Sequence, residues 1–314
     1  MRVSVVILSL LFWASPTFAK ASVSIDWLKT MAFASHQTDY TGVFVYQYAS
    51  HVETSRITHI AEPDSEYEKL ESLDGSRREI IRHHGQVWCF VNHKIVPAGT
   101  RPGRNAFPSL LPEQLSILGE NYELRDAGAD RVAGHNAQAI LFQPKDNLRY
   151  AHKIWVHVDS GLLLKAAVLD EKSRVVEQYA FTQLQIGREV DRAALKSQLV
   201  GLPPSAPANQ SVNINSGWVI DAMPAGFRKV TEIQRSMRRQ HAPVIQMVFT
   251  DGLSAVSLFI EPNDKDEDDI DGLSSRGALN LYQKLVGDKL ITAVGEVPPR
   301  ALMQVLDSAR YNGK

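Results

Sequence analysis

Apolar residues recur along this chain mostly at every second position, with a few stretches at helical spacing. The first helical stretch is "SIDWLKTMAFASHQ", where Ile25, Leu28, Met31 and Ala32 fall on one face. Strand-like runs follow: "GVFVYQYA", "SRITHIAE", "YEKLESL", "REIIRHHG", "QVWCFVNH" and "KIVPAG", separated by turn signals such as "LDGS" and "HHGQ". An apolar, partly helical stretch, "FPSLLPEQLSILGENY", interrupts them. Strands then resume through "YELRDAGADRVAGHNAQAILFQP", "YAHKIWVHVD", "LLLKAAVLD" and "VVEQYAFTQLQIG", with "LDEKSR" as the hairpin turn between the last two. Hairpins in succession predict an antiparallel meander, not βαβ units.

On two strands the alternation is blurred. In "GVFVYQY" Phe44, Tyr46 and Tyr48 share one face and Val43, Val45 and Gln47 the other, so both faces are largely apolar through Tyr46. "VWCFV" repeats this, with Trp88 and Phe90 against Val87, Cys89 and Val91. An antiparallel sheet with one wet face alternates cleanly. Something must therefore cover the second face: a helical layer, a sheet curling onto itself, or a ligand. Phe44, Tyr46, Tyr48, Trp88 and Phe90 are candidates for the wall of an apolar pocket, with Phe107 to Leu118 as its lid. A fully packed sheet–helix core is the alternative use of the same residues.

The clearest break is "GLPPSAPANQSVNIN", residues 201–215, rich in proline and small polar residues and without apolar period. It predicts a linker between a large domain, 22–200, and a small one, 216–314. The small domain mixes types. Strands are expected in "VNINSGWVIDAMPAGFRKVTEIQRSM", "PVIQMVFTDGLSAVSLFIEP" and "KLITAVGEV", with Asp251-Gly252 as a hairpin turn. "SSRGALNLYQKLVGD" places Ala278, Leu281, Tyr282 and Leu285 on one helical face. Pro298 and Pro299 open a last helix carrying Leu302, Val305, Leu306 and Ala309. The class is α+β.

The N-terminus reads as an export signal. Arg2 precedes an apolar run from Val3 to Trp13, and "SPTFAKAS" offers cleavage after Ala19 or Ala21. The run is too short to span a bilayer, which takes about 20 residues. No cysteine near the cleavage site invites a lipid anchor. Cys89 is the single cysteine, so no intrachain disulfide forms. Within "VWCFV" it reads as a small buried hydrophobe. Without Arg2 and Lys20 the 34 basic residues become 32 against 35 acidic ones, which gives no support for nucleic-acid binding.

Catalytic and metal motifs are missing from the sequence: there is no G-x-S-x-G, H-E-x-x-H or G-x-x-x-x-G-K-[ST]. Adjacent His83 and His84 would point to opposite faces of a strand, and so would His152 and His157. His51 and His59 read as strand ends among polar residues. Nothing has the spacing of metal ligands, so neither a metal nor a cofactor is expected. The acidic run 264–272, "DKDEDDIDG", lacks the Gly and Glu of a calcium loop and reads as a solvated loop. Arg228, Lys229, Arg235, Arg238 and Arg239 fall within twelve residues of the small domain. They are either a solvated face or a site for an anion, since arginine suits bidentate contact with carboxylate or phosphate.

Several long segments resemble one family. "YTGVFVYQY", "VETSRITH", "EYEKLESLDGSRREIIR", "LRYAHKIWVHVDSGLLLKAAVLDEKSRVVEQYAFTQLQIG", "MPAGFRKV", "VFTDGLSAVSLFIEP" and "AVGEVPPRALMQVL" are similar to the MucB/RseB family, in family order, from about residue 24 to 310. Thr41 before Gly42, and Ser173 where the family's turn carries glycine, are departures. The resemblance implies a periplasmic, non-enzymatic regulator of the extracytoplasmic stress sigma factor. It implies a large domain like the Lol lipoprotein carriers, an unclosed barrel of curved antiparallel sheet over helices, joined to a smaller α+β domain. The implied partner is the periplasmic part of a membrane-spanning anti-sigma factor, shielded from the site-1 protease. Lipopolysaccharide or lipoprotein acyl chains would release that block. More than one oligomeric state is implied, a homo-oligomer among them. The small domain would carry much of the partner contact, where the basic group lies.

Two other classes compete. A plain lipid or lipoprotein carrier would need neither the proline-rich linker nor a second domain. A hydrolase would need a nucleophile–base pair that the sequence does not offer.

Overall fold

The structure, a computed structural model, describes residues 25–92, 94–96, 107–112, 116–187, 190–196, 211–235, 243–263 and 272–313. The expected signal peptide, residues 201–210 of the expected linker, Arg238, Arg239 and residues 264–271 of the acidic run lie outside the described residues.

The chain opens with α1 (Ile25–Gln37), as the helical spacing predicts. A meander follows: β1 (Tyr40–Tyr48), β2 (His51–Glu62), β3 (Ser65–Ser72), β4 (Arg78–His83), β5 (Gln86–Val91) and β6 (Lys94–Val96). After the short α2 (Ser116–Asn121) come β7 (Tyr122–Val132), β8 (His135–Pro144), β9 (Ala151–His157), β10 (Leu163–Leu169) and β11 (Val175–Ile186). These eleven strands form one antiparallel sheet, in the order β6-β5-β4-β3-β2-β1-β11-β10-β9-β8-β7. Its end strands, β6 and β7, do not pair with each other, so the barrel is unclosed. Ile57 of β2 and Phe142 of β8 nonetheless belong to one buried cluster with Met31 and Ala32 of α1. Five strand steps of about 4.8 Å would hold them far apart on a flat sheet. The sheet therefore curls around a core that α1 helps to fill.

Gly42 permits the tight closure of β1 on β11. A Cβ there would lie 2.7 Å from both the Gln183 carbonyl and the Phe181 ring, closer than side-chain atoms tolerate. Asp170 caps the β10–β11 turn by accepting from the backbone N–H groups of Lys172 and Arg174, each at 2.9 Å. Ser173 adopts φ 59° in that turn, a left-handed conformation that glycine takes without steric cost.

The second sheet has seven strands: β12 (Ser211–Asn213), β14 (Arg228–Arg235), β15 (Val244–Thr250), β16 (Ala255–Pro262), β17 (Leu273–Arg276), β18 (Leu279–Val286) and β19 (Lys289–Gly295). Their order is β12-β14-β15-β16-β19-β18-β17. A ribbon of β13 (Trp218–Ile220) with β20 (Ala309–Tyr311) flanks it. α3 (Pro299–Asp307) buries Ala301, Leu302, Val305 and Leu306 against this sheet; Leu302, Val305 and Leu306 are where the spacing puts them, but Ala309, expected on the same helix, begins β20.

Three local expectations are overturned. The helix expected over 274–288 is the hairpin β17–β18. Gly277 turns it at φ 62°, and β18 finds a full-length partner in β19, so strand pairing overrides a helical apolar spacing. His59 is no strand end: it is buried within β2, stacked on Tyr40 with ring centroids 5.0 Å apart. His83 and His84 do not face opposite ways, because the strand stops between them. His84 takes φ 48° in the β4–β5 turn, and the two rings sit 4.0 Å apart.

Candidate functional site

The two sheets meet along a seam built by turns of the small domain entering the large one. The β15–β16 turn, 251–254, inserts deepest. Asp251 is fully buried. Its carboxylate accepts from the Tyr122 hydroxyl at 2.9 Å and from the backbone N–H groups of Leu253 and Ser254 at 3.0 and 2.8 Å. Arg149 Nε lies 3.4 Å from the same carboxylate, close enough for an ion pair but not aligned for a hydrogen bond. The guanidinium, also buried, donates to the Ala225 carbonyl and sits over the rings of Phe227 and Tyr122. Burial pushes the Asp251 carboxyl above the usual aspartate range, against the pull of the Ser254 N–H, Arg149 and Tyr122.

A second patch centres on Glu177 of β11. Its carboxylate accepts from the Tyr46 hydroxyl at 2.9 Å and from the backbone N–H of Ala278 in the β17–β18 turn at 3.2 Å. A Cβ on Gly277 would lie 2.9 Å from that carboxylate. Arg276 donates to the Tyr48 hydroxyl at 2.7 Å and sits over its ring. Asn280 donates to the Tyr150 hydroxyl at 3.0 Å.

Between the two patches runs a mainly apolar cleft with a cavity volume of about 40 Å³. Ile154 and Ala166 of the large sheet, Leu110 and Leu111, Tyr179, and Leu253 from the inserted turn line it, with Glu177 and Glu296 as acidic members. It is narrow, so a thick ligand has to part the walls.

The five aromatic candidates do not form one wall. Directly paired residues point to the same side of a sheet. Following the register from Phe44 through Ser55, Ser72 and the adjoining pairs to Ile80 and Cys89 leaves Trp88 and Phe90 on the opposite face. Phe44 packs on Phe107 and Phe181 in the enclosed core. Tyr46 stacks on Tyr179 of the cleft wall at 4.5 Å, and Tyr48 meets the small domain through Arg276. Trp88 and Phe90 pack with Ile81 in a separate cluster on the other face. Of the expected lid, Phe107 is buried in the core beneath the sheet, and Leu110 and Leu111 line the cleft. Cys89 is buried.

The described members of the basic group all lie on β14. Arg228 is exposed, Lys229 pairs with Glu232, and Arg235 covers the Phe259 ring with its Nε buried. β12 pairs only with Ile233 to Arg235, leaving the N-terminal half of β14 without a partner on that side among the described residues. Ser211 to Asn213, expected in the linker, are already part of this sheet.

Sequence reasoning missed Arg149, Tyr122 and Glu177. Asp251 was legible as a turn residue, but the counter-charge that buries it lies 102 positions away.

Comparisons with known proteins match both halves of the chain. Residues 24–199 match the MucB/RseB N-terminal domain and residues 212–310 the MucB/RseB C-terminal domain. The sigma factor AlgU regulatory protein MucB of Pseudomonas aeruginosa is 32% identical over 89% of this chain and 88% of its own. The sigma-E factor regulatory protein RseB of Escherichia coli is 23% identical over 96% and 95%. The solved structure of MucB in complex with MucA(peri) is 29% identical, covers 92% of this chain and 99% of its own, and superposes with a TM-score of 0.73. MucB alone superposes at 0.65 with 28% identity, covering 91% and 97%.

Proposed function

Because the chain belongs to the MucB/RseB family, we propose that it is a periplasmic, non-enzymatic regulator that grips the periplasmic part of a membrane-spanning anti-sigma factor. Its grip shields that protein from site-1 proteolysis and so keeps an envelope-stress sigma factor inactive. The observation that carries this reading is likeness across both domains to MucB, whose structure was solved with MucA's periplasmic part. An isolated carrier-like sheet would account for the first domain alone.

The partner is held mainly by the small domain and the segment before it. Arg228, Lys229, Arg235, Arg238 and Arg239 face its acidic or carboxyl groups. Lipid enters the cleft at the seam. An acyl chain there contacts Ile154 of the large sheet and Leu253 of the small domain at once, so lipid and partner compete through the relative placement of the two sheets.

The test is protease protection. The mature protein, mixed with the cognate anti-sigma factor's periplasmic segment, is expected to bind it and block its cleavage by the site-1 protease, and lipopolysaccharide is expected to restore cleavage. Arg235→Ala with Arg238→Ala is expected to raise the dissociation rate strongly if the basic group anchors, as desolvated interface charges do. Unprotected cleavage at saturating protein overturns the regulatory reading. Protection that lipid leaves untouched overturns the sensing part alone.

A further inference from the structure

Away from the seam, on the same sheet face as Trp88, a compact donor set stands at one end of the large sheet. Glu62 closes β2, His83 closes β4, and His84 begins the β4–β5 turn. One ligand atom from each lies within 4.8 Å of the other two, a condition met by no other such group among the described residues. We propose that Glu62, His83 and His84 bind one divalent transition-metal ion of the imidazole-preferring kind, such as Zn²⁺ or Ni²⁺.

Three features carry this. The first is distance. Glu62 Oε2 and His83 Nε2 are 3.3 Å apart. Ligand atoms about 2.0–2.1 Å from a tetrahedral Zn²⁺ stand roughly 3.3 Å from one another, so this pair already spans one edge of the polyhedron. The second is backbone. A left-handed turn of this type favours Asn or Asp before Gly, yet His84 occupies the position at φ 48° ahead of Gly85 at φ 70°. That conformation brings the His84 ring beside His83 instead of across the sheet, with its ligand atom within 4.8 Å of the other two. The third is orientation. The His83 ring is stacked on Tyr67 at 4.2 Å with a 19° tilt. Arg192 holds the far oxygen of Glu62 at 3.3 Å. Both leave the ligand atoms facing the shared point, as outer-shell contacts do at metal sites.

Imidazole with one carboxylate selects zinc-like ions over magnesium or calcium, which want oxygen. The Arg192 guanidinium opposes the ion's charge and shares its carboxylate, so the site is of moderate affinity, with water completing the shell. An ion here would tie the ends of β2 and β4 together beside the segment 190–196, which packs on β2 and β3 through Val190 and Leu195 and reaches Glu62 through Arg192.

The experiment uses the untagged mature chain, stripped with chelator. Zn²⁺ is titrated by calorimetry, and Co²⁺ by its visible absorption. One equivalent is expected to bind, with Co²⁺ bands of a nitrogen–oxygen site. His84→Asn is the key variant, because Asn accepts the left-handed backbone and keeps the turn. It and Glu62→Gln are each expected to weaken binding by at least about 10-fold, the lower range for disturbing even an outer-shell partner. Failure to bind one equivalent overturns the proposal. So does binding that His84→Asn leaves unchanged, which would place the ion on other histidines. Should Glu62→Gln prove unstable, the His84→Asn titration decides alone.

Discussion

Single residues here are tuned by partners far off in sequence, and Glu66 is a case whose consequence can be measured. It lies on β3 with His36 Nδ1 of α1 at 2.6 Å and His59 Nε2 of β2 at 3.4 Å. The His36 bond, then the His59 bond, hold its carboxyl well below the usual glutamate range, outweighing the opposing effect of burial. A depressed carboxyl favours the folded state above its unfolded value of about 4.3, and that contribution is lost as pH falls through the folded value. Glu66→Gln should therefore lower stability at pH 6–7, and the gap to the unaltered protein should close as urea unfolding is repeated below pH 4. The gap should not exceed about 1 kcal/mol, because Glu66 is partly exposed and screened. A gap that widens on acidification would contradict the assignment. His59 shows why such pairings escape a sequence reading. Its ring is buried by Tyr40 and its Nδ1 meets the Thr38 carbonyl at 2.9 Å, both fixed by strand register and not by neighbours in the chain.

At the scale of elements, local rules read the chain well where local energetics decide. The β-branched and aromatic runs "GVFVYQY" and "VWCFV" mark strands, Pro299 opens α3, and Asp251-Gly252 turns a hairpin. They fail where a distant partner decides. "SSRGALNLYQKLVGD" has apolar positions that suit a helix, but β19 offers a full edge, and Gly277 lets the chain reverse tightly against Glu177. The wall of five aromatics failed for a related reason. Each strand's faces were legible, yet which face of β5 matches which face of β1 depends on four successive hairpins. The inserted β15–β16 turn gives a prediction at this scale. Leu253 stands between the cleft and the enclosed core. Leu253→Trp would fill the cleft from the small-domain side while leaving both sheets' ladders intact. It is expected to keep anti-sigma binding within about twofold and to blunt lipid-triggered release at least tenfold, read by the protease-protection assay. Unchanged release would remove the cleft from the sensing route.

The whole molecule poses a balance between two cores and one polar seam. Each sheet buries its own cluster, around Phe142 and Ile57 in one and Leu258 and Leu306 in the other, with only Leu253 and Leu148 among the described residues reaching across to the opposite core. The seam instead sets how the two stand together, and its centre is the pair Arg149–Asp251. A buried ion pair is a poor source of net stability but costly to halve: removing one partner is worth about 3–5 kcal/mol, whereas replacing both by apolar residues is often neutral or better. Asp251→Ala would leave the buried Arg149 with only the partly exposed Asp146, 3.4 Å from its guanidinium, as counter-charge, and the Tyr122 hydroxyl without its acceptor. The molecule can bear that cost with the seam closed, or part the sheets and let water reach the guanidinium. Parting breaks mostly polar contacts that water replaces, such as those of Glu177 and Asn280, and withdraws two leucines, Leu253 from the cleft and Leu148 from the second core. Opening is the cheaper course. Asp251→Ala is thus expected to raise the radius of gyration in solution scattering without loss of far-ultraviolet dichroism. Arg149→Met combined with Asp251→Leu should return it to the original value. If Asp251→Ala keeps the original radius and both cores melt together at lower temperature, the seam is part of one cooperative core and not a joint. If the radius grows and partner affinity falls with it, closure of the seam is what the partner reads.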